Sequence, residues 1–281
     1  MTIEDIILSQ DNRGVSQLRY KLPPDYCEKA ARFILETRGS VVILTGFYTS
    51  PSYETDGPAG AVVLGRALET LGFKVFYVTD GCTDMMRKLV RGPEGKVIDF
   101  PVSDHESSQR LAEAIFSYVR PGLAVAIERC AFNQAQKYIN MHGRDITEHT
   151  AKLDYLFLRV NRTVGVGDGG NELGMGVLYD AIAQVPTLVK DPATTSATHL
   201  VIASVSNWGA YGLVGYISIL SGINLLPSTK EEQSMVKTWV DMGGVDGLDG
   251  ERAYKVDGFS LEENSAVLQA IQSEVAAAGV K

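Results

Sequence analysis

Residues 163–176 read TVGVGDGGNELGMG. The apolar start, residues 164–166, reads as a buried strand. It breaks into Gly167, Asp168, Gly169 and Gly170, followed by Asn171 and Glu172. Glycines crowded into such a bend let the backbone come close to something else. Two carboxylates and an amide sit inside it. In an open α/β sheet, ligands bind in the crevice beyond the carboxyl ends of the strands. Oxygen donors there suit a hard cation, a polar substrate or both.

Working outward, the same pattern recurs along the chain. Apolar runs predict strands at 41–45, 74–79, 96–100, 123–127, 163–166 and 199–203. Amphipathic stretches predict helices at 24–37, 59–71, 83–90, 105–118, 147–158, 172–183, 209–220, 230–242 and 261–278. Alternating strands and helices imply a mostly parallel, doubly wound, Rossmann-like α/β sheet covered on both faces. The length of 281 residues fits one α/β domain over 1–281. A helical extension at 1–38 and a C-terminal cap at 226–281 complete the expectation.

Composition narrows the function classes. The net charge of −8 and the lack of a basic stripe argue against nucleic acid. No apolar run reaches the length of a membrane span. The opening MTIEDIILSQ has early acids and no basic region, unlike a signal or transit peptide. Cys27, Cys82 and Cys130 lie far apart, which suits a reducing, cytoplasmic setting and gives no zinc spacing.

Polar residues gather at the predicted strand exits. Glu54, Thr55 and Asp56 follow the first strand, and Asp80 and Asp84 the second. Glu128 and Arg129 follow the fourth, Asp168, Asn171 and Glu172 the fifth, and Ser204, Ser206 and Asn207 the sixth. Each also has a plainer role open to it. Asp168, Asn171, Asp56 and Asn207 could cap helices, and Glu128–Arg129 could be an exposed pair. Capping alone leaves the glycines around Asp168 unexplained, and Glu54 lies on a long strand–helix loop of the kind that carries binding groups. The histidines show no ligand spacing, and no cysteine has a partner histidine nearby in sequence. The chain has no P-loop and no G-x-S-x-G elbow. GVGDGG mimics a dinucleotide fingerprint, but its aspartate sits where a pyrophosphate would approach.

At these residues the chain resembles the D-glutamate cyclase family, once classed as a domain of unknown function. The resemblance rests on TGFYTSPSYETDGPAGA (45–61), AIERCAFNQAQKYINMHGRDIT (126–147), TVGVGDGGNELGMG (163–176) and ASVSNWGAYGL (203–213). It implies conversion of D-glutamate to 5-oxo-D-proline and water. That chemistry needs a base for the ammonium, a cation or acid to neutralise the γ-carboxylate, and a clamp for the α-carboxylate. On chemical grounds Asp168, Glu172 and Glu54 are expected to hold Mg²⁺ or Mn²⁺. Glu54, Glu128 and Asn171 are the catalytic candidates, and Arg129, Thr55, Asp56 and Asn207 would contact the acidic amino acid. Two alternatives stay open: a metal-dependent phosphohydrolase or nucleotide-handling enzyme, and a non-catalytic sensor. Gly209, Gly212 and Gly215 would permit close helix packing within one chain or between copies in a homo-oligomer.

Overall fold

The computed structural model describes residues 1–93 and 95–280. Six strands form one parallel sheet: β1 (Ser40–Thr45), β2 (Val75–Thr79), β3 (Val97–Asp99), β4 (Pro121–Ile127), β5 (Thr163–Gly167) and β6 (His199–Ile202). Their spatial order is β3-β2-β1-β4-β5-β6. The order reverses between β1 and β4, so the crevice at their carboxyl ends is the ligand position of a doubly wound fold.

The sheet is buried because its strands are apolar on both faces. In β1, Val41 and Ile43 join one core cluster while Val42 and Leu44 join the other, as the two-residue side-chain period requires. On the first face lie α2 (Tyr26–Leu35), α3 (Pro58–Thr70) and α8 (Ser206–Ser221). On the second lie α5 (His105–Val119) and the single turn α6 (Asp154–Phe157). The helix α8 is apolar around its whole girth, the signature of a buried helix. Its glycines pack inside this chain: Gly209 against Val166, Gly212 against Ile7 and Ile3, and Gly215 against Ile271.

The chain ends close over the sheet. At the start, α1 (Ile3–Ile7) precedes a 3-10 stretch at Val15–Lys21. Towards the other end, α9 (Thr229–Asp241) and α10 (Leu261–Ala277) each begin in a capping box, Ser228/Glu231 and Ser260/Glu263. Between them β7 (Lys255–Val256) and β8 (Phe259–Ser260) make a small hairpin. Its turn residues, Asp257 and Gly258, have φ of +52° and +81°. Asp-Gly is the pair that tolerates such a turn, so Asp257 is held at the tip. Among the described residues no helix is long and apolar enough to cross a membrane.

Two predicted helices are corrected. Residues 147–158 hold a 3-10 turn at Thr147–His149 and α6 instead of a continuous helix. Residues 172–183 hold a 3-10 turn at Gly176–Leu178 and the short α7 (Tyr179–Ile182). Here Glu172 does not open a helix. Its backbone bridges Cys130, while Gly174 and Met175 bridge Ser196. Gly174, at φ +105°, turns the chain out of any helical path.

Candidate active site

The loop after β5 is built around its own carboxylate. Glu172 accepts hydrogen bonds from the amides of Asp168 (3.1 Å), Gly169 (2.6 Å) and Gly170 (2.7 Å). Those bonds fold the loop back and turn Asp168 into the crevice. A side chain at Gly167 or Gly169 would crowd the Glu172 carboxylate, so the glycines serve this fold-back.

The β1–α3 and β6–α8 connections are stitched by exchanged caps. Asp56 accepts from the amides of Ser206 (2.7 Å) and Asn207 (2.8 Å), at the start of α8. Asn207 Oδ1 accepts from Gly57 (3.1 Å) and Gly60 (2.7 Å), at the start of α3. Each helix start thus takes its cap from the other loop, satisfying orphan amides on both. Asn207 Nδ2 also donates to the Thr55 carbonyl, and Thr55 Oγ1 donates to that of Lys255.

Three strand exits, those of β1, β4 and β5, and the hairpin tip bring their acids together. Oxygens of Asp56, Asp168 and Asp257 lie within 4.8 Å of one another, as do those of Glu128, Asp168 and Glu172. Asp168 belongs to both triads. Glu54 approaches the first, since its carboxylate and that of Asp257 both abut Gly247, where a Cβ would come within 2.7 Å of each. Ser206 Oγ donates to Glu128 Oε2 at 2.7 Å. The cluster is nearly sealed: Asp168 is fully buried and Glu54 is 7% exposed.

One arginine meets these acids. Arg13 Nη1 contacts Asp168 at 2.6 Å and Nη2 lies 2.9 Å from Asp257. Asp11 sets this position by accepting from the amides of Arg13, Gly14 and Ser16. Gly14 supplies the left-handed turn at φ +93°.

So many carboxylates in one buried space cannot all be ionised without a compensating cation. Burial raises Glu54, and Asp257 and Asp56 raise it further. Burial likewise raises Glu128, reinforced by Glu172 and Glu54. Asp56 is pushed up to about 8 by burial and by Asp257, against the pull of the amides it accepts from. Burial raises Asp168 well above the usual carboxylate range, although Arg13 opposes the shift. Burial would lower Arg13, but Asp168, Asp257, Glu128 and Glu54 outweigh it and hold the guanidinium charged.

The family model described as D-glutamate cyclase-like, C-terminal, matches residues 3–272. The chain belongs to that family. A curated relative, the mitochondrial D-glutamate cyclase of Homo sapiens, is 29% identical over an alignment 299 positions long, covering 91% of this chain and 48% of the relative. The chain spans about half the length of that protein.

Within this D-glutamate cyclase-like chain, Glu54, Asp56, Glu128, Asp168 and Glu172 converge as the strand order dictates. Arg129 is elsewhere engaged. It is buried, its Nη2 pairs with Asp80 at 2.6 Å and donates to the Ala151 carbonyl, and its Nη1 donates to that of Gly46. Both terminal nitrogens of the guanidinium are thus engaged within the chain, and only its Nε has no partner. Asn171 turns its amide away, donating to the Ile139 carbonyl at 2.8 Å. Three histidines rest on aromatic rings, His149 on Tyr48, His199 on Phe33 and His105 on Tyr155, and the cysteines are buried.

Arg13 and Asp257 were missed by the strand-exit reading, since neither follows a sheet strand. Both nonetheless sit in turn signals, D-N-R-G at 11–14 and D-G at 257–258. Each of those turns carries a charged residue.

Proposed function

We propose that this chain closes D-glutamate to 5-oxo-D-proline and water. The observation that supports this best is the buried cluster of acids beyond the carboxyl ends of β1, β4 and β5, in a member of this family. The amine attacks the γ-carboxyl carbon, a C–N bond forms and one C–O bond breaks. The two protons shed by the ammonium leave on that oxygen as water.

Glu54 is suited to carry those protons, with Glu128 kept for the ion-binding triad. Burial and acid neighbours raise the proton affinity of Glu54, so it can take a proton from the ammonium and return it to the departing oxygen. Burial of these acids limits the access of bulk water to the reacting groups.

The residues fit a divalent ion. Asp168 Oδ2 is buried without a hydrogen-bond partner, and the triad of Glu128, Asp168 and Glu172 offers three oxygens close together. That triad would hold Mg²⁺ or Mn²⁺, as hard cations prefer. When bound, the ion would neutralise the γ-carboxylate and ease departure of its oxygen.

The test is to incubate the purified chain with D- and L-glutamate, with and without Mn²⁺, and follow 5-oxoproline. Product from the D isomer is the expected result. Hydrolysis of phosphate esters alone, or ligand binding without turnover, would replace the proposal with a phosphohydrolase or a sensor.

A further inference from the structure

We infer that Arg13 and Asp257 form the receptor for the α-carboxylate and α-ammonium of the substrate, two charges that neutralise each other until the amino acid takes their place. The inference rests on the acidic amino acid reading above and assigns its recognition to residues from the two ends of the chain.

Arg13 and Asp257 are complementary to an amino acid zwitterion, one cation and one anion side by side. A buried carboxylate needs a cationic partner. Arg129 is spent on Asp80, so Arg13 is the guanidinium that faces the crevice. Its backbone is anchored twice, by the turn around Asp11 and by Thr187 Oγ1, which donates to the Arg13 carbonyl. The Arg13 side chain is 15% exposed, while the Asp168 it holds is fully buried.

The two contacts of Arg13 differ in quality. The bond to Asp168 is an aligned hydrogen bond at 2.6 Å. Against Asp257 the approach is 2.9 Å, yet both Asp257 oxygens lack an aligned hydrogen bond. The Asp257 contact is therefore the one a ligand displaces. A substrate carboxylate takes Nη2, while Asp168 keeps Arg13 in place. Asp257, released, receives the ammonium beside Glu54, the group placed to take its protons.

Ring closure removes the ammonium and leaves a neutral lactam nitrogen. Asp257 then has no cationic partner except Arg13, so the original pair re-forms and the product is expelled.

Three ligands separate the two roles. D-glutamate carries both charges, glutarate lacks the ammonium, and 4-aminobutyrate lacks the α-carboxylate. Each is titrated calorimetrically, with Mn²⁺ present, into the full chain and into R13K, R13M and D257N, and 5-oxoproline is assayed afterwards. Thermal melts confirm folding, and R13K keeps the charge if R13M unfolds. We expect R13M to weaken D-glutamate about 100-fold, the scale for losing a buried charged partner, with R13K intermediate. Loss for 4-aminobutyrate should be small. D257N should weaken D-glutamate but leave glutarate nearly unchanged.

Equal losses of D-glutamate and 4-aminobutyrate in R13M, or of D-glutamate and glutarate in D257N, would overturn the inference. So would wild-type KM in both variants, while the cyclase reading survived. Arg13- and Asp257-dependent binding without 5-oxoproline would support the receptor and reject the cyclase. No binding and no product would overturn both.

Discussion

Two arginines, Arg129 buried and Arg13 partly exposed, sit at the same edge of the sheet and do different work. Arg129 faces a single acid, Asp80, and two backbone carbonyls. Asp80 Oδ2 also accepts from the Ala151 amide at 2.9 Å. The charges there balance one for one, and the pair ties the β2 exit to the β4 exit and to residue 151. Arg13 faces Asp168 and Asp257 directly, with Glu54, Asp56, Glu128 and Glu172 close behind. That centre is short of positive charge. A balanced pair leaves no net charge to be answered, whereas an unbalanced cluster stores an affinity for a cation or an ammonium group.

Breaking the shared acid of the unbalanced centre should have the largest effect. Asp168→Asn removes the carboxylate common to both triads. We expect 5-oxoproline formation to fall at least about 100-fold, on the scale seen when a metal's surroundings are altered, with the far-ultraviolet circular dichroism retained. Near-normal turnover would move the site elsewhere.

The balanced centre should answer in stability instead. Arg129→Met leaves Asp80 buried and uncompensated, a loss of about 3–5 kcal/mol, read as a lower Tm. Arg129→Lys should lose less stability, and its KM for D-glutamate should stay at the wild-type value while Arg13→Lys raises it. The reverse pattern would exchange the two roles.

The third test uses pH. Folded Glu54, Glu128, Asp56 and Asp168 bind protons more tightly than the same groups unfolded. Between about pH 4, the unfolded carboxylate range, and about pH 8, where Asp56 titrates, the native state therefore holds more protons. Stability should be greatest at the acid end of that window and fall as pH rises. A divalent ion replaces those protons, so Mn²⁺ should raise Tm more at pH 8 than at pH 6. An equal shift at both would deny that ion and protons share the cluster.

The smallest effect is expected at Gly247. In Gly247→Ala the new methyl would meet the ends of Glu54 and Asp257, flexible groups that can give way. KM should rise a few-fold, with stability changed by no more than about 1 kcal/mol. An unchanged KM would place the Glu54–Asp257 contact outside the binding site.

Much of this arrangement was legible in the sequence, for one topological reason. Parallel strands send their exits to one edge, so Glu54, Asp56, Glu128 and Asp168 fall on the same side of the molecule once the alternation of strands and helices is recognised. What each would do there was less legible. Arg129 follows a strand as Glu128 does, yet its partner Asp80 lies 49 residues away, and no local pattern announces the pair. Asp56 and Asn207 each read as a cap, but nothing local shows that each caps the other's helix. Arg13 and Asp257 reach the site through packing of the chain ends over the sheet, which strand-exit reasoning does not address. The false helix at 172–183 has a local cause, because the Glu172 carboxylate bonds the amides behind it rather than beginning a helix ahead.

The most direct measurement is anomalous diffraction from crystals grown with Mn²⁺ and D-glutamate. The account predicts a manganese peak within about 2.5 Å of an Asp168 oxygen, among Glu128 and Glu172, with ligand density between that peak and Arg13. A peak remote from Asp168, or none in crystals that still form 5-oxoproline, would contradict it.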